Sequence, residues 1–329
     1  MQADKTHSRE QRRIPKHERL SECSEESTGW ILVIPALLLL LLVYAYPILS
    51  SFWSSLFAEN LGTQLQPVFS GLANYQRMMG DGRFWQAMWN TTIFTVVSVL
   101  LELVLGMIIA LILHRCPTGS ASSAPGGHRR PFPGRNLVRT IAILPWALPT
   151  ALIGLAWAWI FNDQFGVVND ILLRLGIIEQ GINWLGMPNT AMMAAIAADV
   201  WKATPFISIL LLAGLQSIPT DLYEAHSLDG ATPWQNFTLI TLPLLMPQIL
   251  IALLFRFAQA FGIFDLIKVM TGGGPGGATE MVSLYIYATV MRYLDFGYGA
   301  ALIVVTFLLL VFAVAIAFWG LSKSRAQIN

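Results

Sequence analysis

Charged side chains are scarce in this sequence. Asp, Glu, Lys and Arg make up 12% of the 329 residues, about half of their share in soluble domains. The chain is instead 55% hydrophobic, with a mean hydropathy of +0.59. So few charges could not cover the surface of a soluble domain, and the sequence therefore predicts an integral membrane protein. The formal net charge of +1 decides little, because the placement of charges matters more than their sum.

Cysteines and catalytic motifs are also few or missing. The two cysteines, Cys23 and Cys116, fall in segments that we assign to the cytosol. We interpret them as free thiols, which excludes a disulfide framework. The sequence has no metal-ligand spacing, no Walker A motif and no Gly-x-Ser-x-Gly motif. These absences predict a chain that is not an enzyme and binds no cofactor of its own.

Long apolar runs, by contrast, are abundant. Six of them have about 20 residues or more, which is enough to cross roughly 30 Å of hydrocarbon as a helix. Backbone groups inside a bilayer must be satisfied within the run, so helices are the expected form. The first run follows a basic segment but is long enough to span, and we interpret it as uncleaved. The sequence thus predicts an all-α membrane protein with six transmembrane helices, at about residues 30–50, 88–113, 137–161, 192–215, 244–270 and 300–321.

The positions of Lys and Arg predict the orientation. Thirteen of the twenty lie in residues 1–28, in the loop after the second span or in residues 323–329, against four in the three opposite loops. Because basic residues favour the cytosolic side, both termini are expected in the cytosol. Residues 1–28 are too polar to form a core and are predicted to be a disordered tail. The loop 117–134 has the composition of a flexible linker, and a short helix is expected at 167–175.

A polar stretch between the fourth and fifth spans has the features of two short helices joined by a hinge. Thr220 and Asp221 are good helix starters, and the sequence Asp229-Gly230 favours a stop near Leu228. Thr232-Pro233 favours a restart, and Leu242-Pro243 is expected to turn the chain back toward the membrane. We call residues 220–243 the elbow. Its acidic side chains suit a basic partner surface.

The elbow also resembles a known motif. Glu224, Ala225, Gly230, Ile240 and the pair Leu242-Pro243 have the spacing of the EAA motif of ABC-importer permeases, although His226 replaces the usual second alanine. Further stretches over about residues 30–321 resemble the six-span carbohydrate-uptake branch, among them Thr271-Gly-Gly-Gly-Pro275. The resemblance implies a type I importer permease fold. It also implies that the elbow couples to an ATPase through Glu224, Ala225, His226, Asp229 and Gly230.

The charged candidates inside the predicted spans are Glu102, Asp199, Lys202 and Arg256, since charge there is costly and usually faces a partner or a cavity. Asp199 and Lys202 could pair on one helix, and Glu102 could pair with Lys202 or Arg256 as structural support. A substrate role is the alternative for each except Glu102, which we keep on the structural side. Pro205 and Gly262 predict irregular backbone near these positions. The resemblance places the substrate pathway at Asp199, Lys202, Ala203, Phe206, Arg256, Gln259 and Ala260.

The resemblance implies a permease subunit of an ATP-driven importer in the bacterial inner membrane. Its expected partners are a second, related permease, two ATPase subunits that bind ATP and Mg²⁺, an extracytoplasmic solute-binding lipoprotein and membrane lipid, with no nucleic acid. The expected substrate is a sugar or oligosaccharide, and the alternative is a glycerol-phosphate-like anion or other polyol. A secondary transporter or channel would leave the elbow unexplained, and a membrane enzyme would need a catalytic constellation that the sequence lacks.

Overall fold

The computed structural model describes residues 29–63, 66–115 and 143–326, and it is built almost entirely of helices. The predicted tail 1–28, the linker 117–134 and both cysteines lie outside the described residues. The elements in chain order are α1 (Gly29–Ser54), β1 (Phe57–Ala58), β2 (Val68–Phe69), α2 (Ala73–Met79), α3 (Gly82–Arg115), α4 (143–147), α5 (Thr150–Ile160), α6 (Val167–Arg174), α7 (Pro188–Gln216), α8 (Thr220–Leu228), α9 (Pro233–Phe261), α10 (Asp265–Met270), α11 (Val282–Met291) and α12 (Phe296–Ala326).

Five helices in the described part of the chain are long and apolar enough to cross a membrane: α1, α3, α7, α9 and α12. The all-α architecture is therefore confirmed. The helix expected at 137–161 is interrupted within its described part, because Pro149 has an extended backbone and separates α4 from α5. The helix expected at 300–321 begins earlier, at Phe296, and continues to Ala326.

The core of the molecule is formed by α3, α7 and α9. Helix α3 packs along α7, and both contact α9. Glycines allow this close approach. A Cβ atom on Gly106 would lie 2.7 Å from Ile207, and one on Gly214 would lie 2.6 Å from Leu245. Helix α1, in contrast, buries none of its most apolar window within the chain, as expected for a surface that faces lipid or another subunit.

The apolar segment predicted as one helix at 244–270 is divided in the structure, and that prediction is wrong. Helix α9 ends at Phe261 with Gly262 as its C-cap, and α10 begins only at Asp265. The Gly-rich loop that follows contains glycines with positive φ, including Gly272 at 64° and Gly276 at 57°. These angles suit glycine and reverse the chain into α11, a helix that the sequence did not predict. The short helix expected at 167–175 is confirmed as α6.

Candidate functional site

The first helix of the elbow forms where the sequence predicts it. Helix α8 runs from Thr220 to Leu228, with Asp221 in its first turn. Its N-cap residue is Pro219, which has no capping side chain, so the cap expected from Thr220 or Asp221 is not formed. The acidic side chain of Asp221 still lies at the positive end of the helix dipole, where negative charge is favourable.

The hinge after α8 is closed by backbone hydrogen bonds. The N–H of Gly230 donates to the carbonyl of Ser227 at 3.1 Å, and the N–H of Ala231 donates to that of His226 at 3.2 Å. This pair of bonds is the Schellman motif, which requires a left-handed residue just after the helix. Gly230 provides it with a φ of 79° and has no other atoms near its missing Cβ, so the constraint on this position is conformational.

The second helix of the elbow begins with a capping box. Thr232 Oγ1 accepts a hydrogen bond from the N–H of Gln235, and the Gln235 side chain accepts one from the N–H of Thr232. Pro233 occupies the first helical position, as predicted. The turn expected at Leu242-Pro243 is wrong, because α9 continues without interruption to Phe261. Pro243 lies in the first turn of the α-helical segment Leu242–Phe261, which follows a π-helical turn at Phe237–Thr241.

The elbow has an exposed outer face and a partly buried inner face. Among the residues that resemble the EAA motif, Glu224, Ala225 and Gly230 are exposed, as is Asp229. His226 points inward and is partly buried, and its Nδ1 lies 2.5 Å from Asn236 Oδ1. Large apolar side chains share the outer face: Leu222, Leu228 and Trp234 are 44%, 89% and 70% exposed. This combination of carboxylates and apolar side chains is typical of a docking surface.

Three charged side chains from three helices meet inside the bundle. Glu102 on α3, Asp199 on α7 and Arg256 on α9 are 0%, 2% and 5% exposed. Arg256 Nε and Nη2 donate to the two carboxylate oxygens of Glu102 at 2.6 Å each, and Nη2 also donates to Asp199 at 3.0 Å. A bidentate arginine–carboxylate pair of this kind is strong and fixes orientation. Of the pairings left open by the sequence, the structure selects Glu102 with Arg256. We call these three residues the ion cluster.

Gln259 and Lys202 lie beside the ion cluster. Arg256 Nη1 donates to Gln259 Oε1 at 3.1 Å, and the Gln259 side chain is exposed. Lys202 is partly buried, and within the described residues Asp199 pairs with Arg256 rather than with Lys202. The side-chain amide of Gln259 is therefore the part of this group that reaches the surface of the chain most openly.

The other predicted pathway residues have apolar side chains and are not part of the hydrogen-bonded ion cluster. Phe206 stacks on Trp146, with ring centroids 5.7 Å apart. Ala203 and Ala260 are 3% and 0% exposed and pack in the protein interior. The structure thus brings Asp199, Arg256 and Gln259 together as one hydrogen-bonded group.

A second polar group, at the opposite end of α3 from the elbow, was missed by sequence reasoning. Asp81 caps α3 by accepting hydrogen bonds from the N–H groups of Arg83 and Phe84, and it also accepts from the hydroxyls of Tyr285 and Tyr298. Burial raises the pKa of Asp81, but the two tyrosine hydroxyls and the two N–H groups together outweigh it and leave the pKa below its ordinary value.

Two ion pairs extend this second group. Arg83 forms a bidentate pair with Glu280 at 2.8 Å for each bond, and Arg77 pairs with Asp295 at 2.7 Å. The guanidinium of Arg77 also lies 4.0 Å from the centre of the Tyr298 ring. The partners are about 200 residues apart in the sequence, so no local pattern could have paired them. We call these residues, with Asp81, the α3-start network.

Comparison with known proteins assigns the chain to a family. Residues 117–325 match the family described as binding-protein-dependent transport system inner membrane component. The chain belongs to this family. It is therefore a permease subunit of an ABC importer and not an enzyme.

The matches to individual relatives cover nearly the whole chain. This chain is 40% identical to the trehalose/maltose transport system permease protein of Thermococcus litoralis, and the match covers 87% of this chain and 91% of that protein. It is 38% identical to the sulfoquinovosyl glycerol transport system permease protein of Agrobacterium fabrum, covering 91% and 92%. Its fold is similar to that in the crystal structure of a bacterial alginate ABC transporter, with a TM-score of 0.73 over 90% of this chain and 94% of that chain at 22% identity.

Proposed function

We propose that the permease forms, with a second related permease, the pathway for a sugar or oligosaccharide that a solute-binding protein delivers. The observation that carries the proposal is α9, one continuous helix from Pro233 to Phe261. It begins in the elbow, where a partner can dock, and it carries Arg256 and Gln259 at its other end. A single helix therefore joins a docking surface to a buried polar group suited to hydroxyl-rich ligands.

The substrate class follows from the relatives and from the hydrogen bonds of the ion cluster. Arg256 spends three of its five N–H donors on Glu102 and Asp199, so its charge is already balanced. A balanced guanidinium and an exposed amide can donate hydrogen bonds to a neutral sugar but offer little net attraction for an anion. The relative named for trehalose and maltose is in keeping with such a substrate.

An anionic substrate is the second candidate. It is favoured by the relative named for sulfoquinovosyl glycerol and by Lys202, which lies beside the cluster and within the described residues has no ion-pair partner. Lys202 could provide the positive charge that Arg256 has already used. Uptake assays that compare a neutral disaccharide with a sulfonated glycoside, each with and without Lys202→Gln, would separate the two. Only an anionic substrate should depend strongly on this charge.

The elbow is proposed to couple this pathway to two ATPase subunits, which bind ATP and Mg²⁺. Glu224 and Asp229 are exposed and can offer carboxylates to basic residues, while Ala225 and Gly230 are small and allow close approach. Movement of the docked ATPases would then shift the elbow and, through α9, the ion cluster. Each ligand acts by its different affinity for the inward-open and outward-open states.

The proposed orientation follows from the distribution of basic residues. Both termini and the elbow are placed in the cytosol, and the α3-start network is placed on the outer side, where the solute-binding protein docks. Reporter fusions test this arrangement. Fusions at Gly230 should report cytosol, and fusions at Gly181 should report the outside.

The test of coupling is a charge reversal at Glu224. In purified complexes, Glu224→Lys should abolish transport and weaken ATPase association while the chain still inserts in the membrane. Glu179→Lys is the matched control, because Glu179 is also exposed but lies far from the elbow in the loop before α7. It should leave ATPase association unchanged. Retention of stimulated ATPase activity and transport by Glu224→Lys would refute the proposed role of the elbow.

A further inference from the structure

Two side-chain hydrogen bonds join the two helices of the elbow. The hydroxyls of Tyr223 and Thr241 lie 2.9 Å apart, and His226 Nδ1 lies 2.5 Å from Asn236 Oδ1. Thr241 is buried, and the other three residues are partly buried. Both bonds run from the inner face of α8 to the start of α9, so they connect the helix that displays Glu224 with the helix that carries Arg256.

The spacing of these residues depends on the π-helical turn. Tyr223 and His226 are three residues apart and share one face of the α-helix. Asn236 and Thr241 are five residues apart, a separation of about 140° in an ordinary α-helix. The π turn at Phe237–Thr241 pairs residues five apart and brings them onto the same side, and Thr241 Oγ1 also donates to the Asn236 carbonyl at 3.3 Å. Without the π turn, Asn236 and Thr241 could not both face α8.

The connection between the two helices is fixed as well. The Schellman motif at Gly230 closes the end of α8, and the capping box of Thr232 and Gln235 opens α9. Ala231, whose N–H belongs to the Schellman motif, is followed directly by Thr232, so no residue lies between these two motifs. Side-chain hydrogen bonds thus hold the inner face of the elbow, and the hydrogen bonds of the two capping motifs fix the backbone on both sides of the hinge. This is the bonding expected of a rigid unit.

We propose that His226 and Asn236, supported by Tyr223 and Thr241, are positioning residues that make the elbow move as one body. They do not touch the ATPase or the substrate. They hold α8 against α9, so that a displacement of the Glu224 face is passed on to α9 instead of being lost in bending at the hinge. The proposal rests on the coupling role proposed above. It also gives a function to His226, which departs from the alanine usual in the motif.

The chemistry of the bond sets the choice of variants. A His226 Nδ1–H donates to Asn236 Oδ1, and both the neutral Nδ1–H tautomer and the charged ring can do so. His226→Ala and Asn236→Ala each remove the bond, and the double variant should be no worse than either alone. His226→Gln keeps an amide donor and should restore much of the function. Ser227→Ala is the matched control, because Ser227 is exposed on the same helix and its hydroxyl donates to the carbonyl of Tyr223 in that helix.

The first measurement tests rigidity alone. Spin labels at Leu222 and Leu239, which are exposed on the two helices, report their distance by pulsed electron resonance after Cys23 and Cys116 are replaced by serine. The parent elbow should give one narrow distance distribution, and His226→Ala and Asn236→Ala should broaden it. An unchanged narrow distribution in both variants would overturn the proposal, whatever the function of the elbow.

The second measurement tests positioning in the assembled transporter. ATPase stimulation by the solute-binding protein should fall by about three- to tenfold in His226→Ala and Asn236→Ala, as the loss of one hydrogen bond predicts, while assembly and basal hydrolysis are retained. Ser227→Ala should match the parent. Broadened distances with full stimulation would refute the positioning role. Glu224→Lys separates the two ideas, because its failure to disturb ATPase association would refute the coupling role itself.

Discussion

The elbow and the ion cluster are two polar regions of a largely apolar chain, and they are built in opposite ways. The hydrogen bonds of the elbow join residues that are at most 18 positions apart, and its outer face is exposed. The ion cluster joins residues 57 and 154 positions apart, and its members are almost fully buried. The elbow is therefore specified by local sequence, whereas the cluster exists only after three helices have packed. Substitutions in the elbow should impair coupling to the ATPase, whereas substitutions in the ion cluster should lower the stability of the folded chain.

The largest effect is expected from Arg256→Met. It leaves Glu102 and Asp199 buried beside each other without a cation, and breaking a buried pair in this way costs about 3–5 kcal/mol. Thermal unfolding of the purified complex measures the loss. Arg174→Met is the matched control, since Arg174 pairs with Asp170 at 2.9 Å in an exposed site and should change stability little. Parent-like stability in Arg256→Met would show that the cluster does not hold the helices together.

A smaller effect is expected from Gly230→Ala in the elbow. Alanine must adopt the left-handed φ of 79° there, at a cost of roughly 1–2 kcal/mol. We expect lower ATPase stimulation with nearly normal melting of the complex. Gly80→Ala provides the comparison, because Gly80 has a φ of −90° and room for a methyl group. If Gly230→Ala and Gly80→Ala behave alike, the hinge does not require its left-handed residue.

A modest effect is expected from Gln259→Ala, which removes an amide next to the ion cluster without leaving a charge unpaired. The loss of one or two hydrogen bonds, about 0.5–1.5 kcal/mol each, should weaken sugar uptake while basal ATP hydrolysis continues. Gln76→Ala, on the exposed surface of α2, should leave uptake intact. Normal uptake and unchanged substrate preference in Gln259→Ala would place the pathway along other faces.

The smallest effect concerns pH and the α3-start network. Because the pKa of Asp81 is below its ordinary value, its hydrogen bonds stabilise the folded chain fully above the unfolded-state pKa, near 3.8. This contribution should disappear as the pH falls through the lower folded-state pKa. Melting temperatures of parent and Asp81→Asn proteins between pH 6 and pH 3 measure it. The difference between the two should shrink toward the acid end, and a constant difference would contradict the assignment.

The parts of the fold that were predicted correctly are those with short-range causes. Gly230, Thr232 and Pro233 act within four residues, so the end of α8 and the start of α9 follow from their order alone. The turn at Leu242-Pro243 was mispredicted because the π turn before it has no simple composition signal. The helix at 244–270 was drawn too long because apolar content continues past Gly262 while the backbone does not.

In the candidate sites too, single residues could be recognised in the sequence, but their pairing depends on the packing of distant helices. The charged residues of the ion cluster could be found in the sequence because charge inside a span is conspicuous, but the choice between Lys202 and Arg256 as partner of Glu102 needed the packing of α3 on α9. Asp81 and Arg83 gave no such signal, since charged residues near the ends of spans are ordinary. The partners of Asp81 on α11 and α12, and the partner of Arg83, Glu280, just before α11, became visible only in three dimensions.

The π turn in α9 has a consequence for the angular phase between the two regions. A π turn is equivalent to one extra residue in an α-helix, and one residue corresponds to about 100° of rotation. It therefore sets the direction in which the elbow points relative to the Arg256 guanidinium, some 20 positions further along the same helix. Deleting a single residue within Phe237–Thr241 would remove the π turn, so Asn236 and Thr241 could no longer both bond to α8, and the elbow would point in a different direction relative to the ion cluster. The ion cluster would stay intact, but motion of the elbow would reach it from a different direction.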